Sequence, residues 1–253
     1  MNVTVIQLEY FKLRRKRLFL ISTGFLLVEI LWLFLNMNQS IMRNPDQARW
    51  EPLIATISSM NGLFLPLLIA ISVSRICDME HKGNTWKLLL TLSVKRSRLY
   101  FAKFFVANGV MFTIAVLQMI AMLVDGTLKD FADPVPVIVF MQFLIGILLT
   151  NAAIIALQQW VSFALKNQAF ALALGMIGSF LGMTGGLFPF SIRRFFIWSY
   201  YNELSPVAQH FSHDQITYSL TNLPELLPLM GTVFIFAVSL YIIGSFSIRK
   251  KEV

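Results

Sequence analysis

Glu29 is the side chain whose type and place most invite chemistry. It lies inside the apolar run Leu18–Leu35, with no other charged residue between Arg17 and Arg43. A carboxyl group at the centre of a bilayer costs about 2.5–3.5 kcal/mol on insertion scales unless it is paired, protonated or facing a wet cavity. It therefore reads as a contact for a cationic substrate or for a neighbouring subunit; a protonated, helix-packing glutamic acid is the alternative. His210 and His213, followed by Asp214, are spaced i, i+3 and could share a helical face. A zinc site needs more ligands than these and none is evident, so they read as loop histidines and no metal site is expected. The single cysteine, Cys77, can form no internal disulfide. No G-x-x-x-x-G-K-[ST], H-E-x-x-H, C-x-x-C or G-x-S-x-G pattern occurs. No catalytic residue is assigned, and hydrolysis of ATP by a phosphate loop is excluded for this chain.

The elements that would carry these residues are membrane spans. Six apolar runs, about 18–35, 53–74, 104–124, 136–157, 169–187 and 227–246, each approach the ~20 residues a helix needs to cross a bilayer. With 57% hydrophobic and 13% charged residues the composition is not that of a soluble domain. The net charge of +8 could suggest nucleic acid, but its distribution argues otherwise. With both termini cytoplasmic, 16 of the 21 Lys and Arg residues fall on inner segments, as the positive-inside bias requires. The outer segments are then net negative and the inner ones strongly positive, so the basic charge is explained by topology and anionic inner-leaflet lipid, and no nucleic-acid partner is expected. The first run follows Lys12-Leu-Arg-Arg-Lys-Arg17 and so imitates a signal peptide. Asn36-Met-Asn-Gln follows it instead of a small-residue cleavage site, so it is expected to stay as a span.

Residues 2–16 read as an amphipathic interface helix, with Val3, Ile6, Tyr10 and Leu13 on one face. The inner segment 75–103 reads as an amphipathic helix in its first half, with a stripe of Met79, Gly83, Trp86 and Leu90 that needs a surface to pack on. A short inner loop is expected at 158–168 and modest outer connections at 36–52 and 126–134. The outer segment 188–226, with Phe195, Trp198, Tyr200 and Tyr201 among its prolines, reads as short helices at or dipping into the outer leaflet; Trp198 and Tyr200 become candidate substrate or subunit contacts. Asn108, Gln118, Gln142, Thr150 and Asn151 lie within spans and should face other helices. Gly178-x-x-x-Gly182 permits close helix approach, within the chain or between subunits.

Asp78-Met-Glu80-His-Lys-Gly83-Asn-Thr85-Trp86-Lys87, followed by Arg96, Arg98 and Lys103, resembles the loop after the second span of ABC-2 type transporter permeases. The Glu80…Gly83…Trp86-Lys87 form, with Trp198-Ser-Tyr200 and Ser205-Pro206 before the last span, is similar to the lantibiotic-immunity branch. Ser93-Val94 stand where that family usually has a proline. The resemblance implies a single ABC-2 type transmembrane domain over 1–253, in an all-α integral membrane fold. It also implies a permease that binds no cofactor itself and works with a cytoplasmic ABC ATPase dimer, which carries ATP and Mg, and with a second permease, identical or homologous. Asp78, Glu80, Gly83, Trp86, Lys87, Arg96 and Arg98 would then form the ATPase-coupling segment. The implied substrate is a cationic amphipathic antimicrobial peptide, expelled from the plasma membrane. The first alternative is an ABC-2 exporter of another drug, lipid, glycan or ion; behind it stand a membrane-embedded enzyme, for which clustered catalytic side chains are wanting, and a non-transporting scaffold.

Overall fold

Six helices of the computed structural model are long and apolar enough to cross a membrane. The structure describes residues 3–15, 17–82, 95–165, 167–212 and 215–250. An N-terminal helix α1 (Val3–Arg15) precedes α2 (Leu18–Arg43), α3 (Trp50–Lys82), α4 (Arg96–Leu128), α5 (Val137–Ala164) and α6 (Gln168–Thr184). Two single-turn helices, α7 (Phe190–Arg193) and α8 (Tyr200–Glu203), lead into a hairpin of β1 (Val207–Ser212) and β2 (Gln215–Leu220), and α9 (Leu223–Lys250) is the sixth span. The all-α six-span class expected from the sequence is therefore the fold.

Several boundaries differ, for one reason. Helices α3 and α4 each run 33 residues, about 50 Å at 1.5 Å per residue, against a hydrocarbon core of about 30 Å. Hydropathy marks where lipid ends, not where the helix does. Residues 75–82, expected as the start of a separate amphipathic helix, and 96–103, expected as the end of the inner loop, instead continue the second and third spans as single helices. Residues 36–43 likewise extend α2, and 158–164 extend α5.

Helix α3 is the hub. It packs on α2, α4, α5 and α6, and its most apolar stretch is 67% buried against 28% for α2 and for α9. The last two are the lipid-facing walls. The tightest seam joins α3 to α6. Pro66 lies inside α3 and has no N–H to offer, which frees the carbonyl of Gly62 four residues earlier. Gly182 of α6 lies against that carbonyl, while a Cβ added at Gly62 would stand 2.6 Å from Gly182 O. The two backbones meet at Cα–H···O range, which only glycine allows. One turn or two below, Gly175 meets Ala70 of α3, and Gly178 meets the indole of Trp198. The Gly-x-x-x-Gly pattern thus serves packing within the chain.

The hairpin is a departure from the helices expected across 188–226. Its register pairs Val207 with Leu220, Gln209 with Tyr218 and Phe211 with Ile216. Opposed residues share a face, so one side of the ribbon is largely apolar and the other carries Ala208, His210, Thr217 and Ser219. His210 Nε2 is 2.8 Å from Ser219 Oγ. His210 thus stands on a strand and not on a helix or loop; His213 and Asp214 lie outside the described residues.

Candidate functional site

Glu29 is carried about three turns into α2 and is 1% exposed. Its environment comes from two other spans. Gln118 of α4 uses both hydrogens of one amide: Nε2 donates to Glu29 Oε2 at 2.6 Å and to Asn61 Oδ1 of α3 at 2.8 Å. Three spans are thereby tied through a single NH2 group. Among the described residues no Lys or Arg forms an ion pair with Glu29.

The segment between α6 and β1 packs against three spans. Gly182 and the Trp198 indole bring the 3-10 turn Ile197–Ser199 against α6. The backbone of Leu204 presses on Gly146 of α5, where a Cβ would lie 2.8 Å from Leu204 O. Tyr201 OH then donates to Asn151 Oδ1 in the middle of α5 at 2.6 Å, and Tyr201 is within electrostatic reach of Glu29. Ser205 Oγ is 2.9 Å from Ser58 Oγ of α3. The segment does dip into the bundle, seating Trp198 and Leu204 on glycines and the hydroxyls of Tyr201 and Ser205 on Asn151 and Ser58.

The result is a polar node in a dry interior, built from Glu29, Asn61, Gln118, Asn151 and Tyr201 on five elements. It is only partly satisfied: Glu29 Oε1, Gln118 Oε1, Asn61 Nδ2 and Asn151 Nδ2 make no hydrogen bond to protein. The node holds no nucleophile–base pair, and among the described residues no three His, Cys, Asp or Glu side chains gather as metal ligands. Beside it, an apolar groove of about 320 Å³ runs between α2 and α4, lined by Ile30, Leu33, Phe34, Leu117 and Val124.

The other residues singled out from the sequence are placed as follows. Trp198 is half-buried on Gly178. Tyr200 is buried, its OH donating to Arg194 O at 2.7 Å. Gln118, Thr150 and Asn151 are buried between helices as expected, and Gln142 is at 9% exposure; Asn108 instead donates to Phe104 O of its own helix. Asp78 is half-buried near the end of α3, and at the start of α4 Arg96 is half-buried and Arg98 exposed. Glu80 belongs to the last turn of α3. Gly83, Trp86 and Lys87, with the stripe through Leu90, lie outside the described residues. Of the residues to which the resemblance gives a coupling role, those described, Asp78, Glu80, Arg96 and Arg98, thus stand near the end of α3 and the start of α4, far along both helices from the Glu29 node.

One pair escaped sequence reasoning. Glu9 of α1, 2% exposed, meets Lys103 of α4, 1% exposed, at 2.7 Å, and Lys103 Nζ also donates to Ile76 O of α3 at 2.9 Å. The expected stripe on α1 is correspondingly rotated: Glu9 and Leu13 face the core, while Tyr10 turns outward to Phe19, ring centroids 5.6 Å apart. A lone acidic residue amid the basic N-terminal segment was the available signal.

A six-span bundle closed on one side by a re-entrant segment defines a multi-pass helical membrane protein without a nucleotide-binding loop of its own. Residues 5–182 match the family described as ABC-2 family transporter protein, and the chain belongs to that family. Membership makes it a membrane subunit of an ABC exporter and implies a partner ABC ATPase. No curated protein matches the chain.

Proposed function

We infer that this permease, with a separate ATPase dimer and a second identical or homologous permease, expels a cationic amphipathic peptide of the lantibiotic type from the plasma membrane, giving self-immunity or resistance. The observation that supports the reading is Glu29, an acid buried within a span and held by Gln118 of α4, in a bundle whose α3, α5 and α6 also seat the segment 197–205. A cationic peptide would reach that acid only if the helices around it part, which is what an alternating exporter must do. ATP binding would draw the two 83–94 segments together and bias the bundle toward the open form. The apolar groove between α2 and α4 would take the peptide's apolar side, and Glu29 its charge as the node opens. The branch rests on the Glu80…Trp86-Lys87 pattern and on Trp198-Ser-Tyr200. Both termini are cytoplasmic in this reading.

Mild-detergent purification of the tagged chain from its native host, followed by mass spectrometry of bound proteins, tests the assembly. A stoichiometric ATPase is expected. In the same experiment Trp86→Ala is expected to reduce ATPase recovery at least tenfold while the permease stays at wild-type level in the membrane; undiminished recovery would remove 83–94 from its docking role. The substrate class is tested by growth inhibition. Co-expression of chain and ATPase in a sensitive host should raise the inhibitory concentration of lanthionine peptides and leave that of neutral drugs unchanged.

A further inference from the structure

We propose that the groove between α2 and α4 is a lipid site. It holds one acyl chain of a phospholipid whose head carries a primary ammonium beside its phosphate, the ammonium on Asp125 and the phosphate on Lys129. The floor of the groove is apolar and dry, with Leu26 at 6% and Leu33 at 1% exposure. Its rims stand open: Phe34, Leu117, Ile120 and Val124 are between 40% and 50% exposed. From Leu117 to Leu128 the groove runs about 17 Å at 1.5 Å per residue. Half of a hydrocarbon core of about 30 Å is about 15 Å, so the length suits a chain from a single leaflet.

Two observations place a head group at one end. Asp125 lines the groove with its side chain 6% exposed, and its Oδ1 accepts from Lys129 Nζ. The other oxygen, Oδ2, is buried and has no hydrogen-bond partner among the described residues. A half-used carboxylate in a dry place is costly, and a cationic donor relieves it best. Lys129 stands at the same end, its ammonium 4.4 Å from the centroid of the Phe34 ring on the groove wall. Asp125 takes one of its three donors, which leaves charge for a phosphate oxygen. An i, i+4 pair that merely decorated a helix would be solvated, with water on both carboxylate oxygens. This one offers an acceptor and a donor side by side at the mouth of an apolar slot. A head with ammonium and phosphate complements both. The quaternary ammonium of phosphatidylcholine has no N–H for Asp125, and phosphatidylglycerol carries no cation.

The chain in the groove also covers a joint. Leu26, Ile30 and Leu33 flank Glu29 on α2, as Leu117 and Ala121 flank Gln118 on α4, and Glu29 and Gln118 tie the two helices together. The groove is the one given above to a peptide's apolar side; the lipid is its occupant before a peptide arrives. In the orientation of that reading the head lies in the outer leaflet, and only this placement rests on it.

The test is native mass spectrometry of the full chain released from detergent micelles. The chain is titrated with phosphatidylethanolamine, phosphatidylcholine and phosphatidylglycerol of the same acyl chains. One phosphatidylethanolamine per chain should bind about tenfold more tightly than either of the others, the discrimination that a hydrogen bond to a charged group supplies. Asp125→Asn should reverse the order in favour of phosphatidylglycerol, because Lys129 then stands without its carboxylate. Ala121→Phe, which fills the groove, should weaken all three. Equal affinities in the parent, a parent preference for phosphatidylglycerol, or an order that Asp125→Asn leaves unchanged overturns the head-group assignment. Binding that survives Ala121→Phe overturns the groove. A fall in melting temperature in Asp125→Asn without a change of order would make the pair merely structural and also overturn the site. None of these outcomes touches ATPase recovery or protection against peptides, so the lipid site and the transport reading fail separately.

Discussion

Gly182→Leu is expected to abolish the native bundle, or to lower its melting temperature by about 6–12 °C, when followed by fluorescence-detected size exclusion of the heated chain. The added Cβ falls on the Gly62 carbonyl, and no side-chain rotation relieves a clash with backbone. Helices α3 and α6 must move apart, with a penalty of about 3 kcal/mol from overpacking; each kcal/mol corresponds to roughly 2–4 °C in a chain of this size. Gly62→Ala should behave similarly. Gly231→Leu in α9 is the control, because a Cβ there has no atom within 4 Å; it should leave the melting temperature unchanged. Equal effects at Gly182 and Gly231 would show that the α3–α6 seam is not what holds the bundle.

At Glu29 the expected result is a split between two substitutions. Glu29→Gln keeps an oxygen that can accept from Gln118 Nε2, so melting should fall by less than about 0.5 kcal/mol. Glu29→Leu removes the acceptor and strands a buried amide hydrogen; interhelical hydrogen bonds in membranes are worth about 0.6–1.7 kcal/mol, and the loss should lie at or above the top of that range. If the acid handles a cationic peptide, both substitutions should cut protection about tenfold, equivalent to 1.4 kcal/mol in the rate-limiting step. Protection that follows melting temperature alone, normal in Glu29→Gln and impaired in Glu29→Leu, would leave Glu29 as a packing residue.

What could be read from the residues was what the bilayer imposes. Six spans and their order follow from hydropathy, because lipid penalises unpaired backbone and polar side chains; aromatic placement gave 188–226 as short helices at or dipping into the outer leaflet, and the hairpin at 207–220 departs from that. The amides Gln118 and Asn151 were legible as inward-facing for the same cause. Helix ends were not, since outside lipid Arg75, Asp78, Arg96 and Arg98 suit a helix as well as a loop. The hairpin was half legible: Ile216, Tyr218 and Leu220 alternate, but Gln209 breaks the same pattern on β1. The partners of Glu29 and of Glu9 were not legible at all. Both pairings join residues about ninety positions apart, and spacing along the chain carries no information about such contacts.

The α3–α6 seam also bears on how the protein is made. Gly62 is synthesised 120 residues ahead of Gly182, an interval of about 6–24 s at 5–20 residues per second. Through that wait the finished half of the seam offers the small faces of Gly62 and Ala70 together with the Gly62 carbonyl that Pro66 leaves free of a helical N–H. Helix α6, the least apolar of the spans with a mean hydropathy of 1.6, is delivered to a surface already standing. The half of the seam on α3 is thus complete long before its partner, and the arrival of α6 is what covers the Gly62 carbonyl.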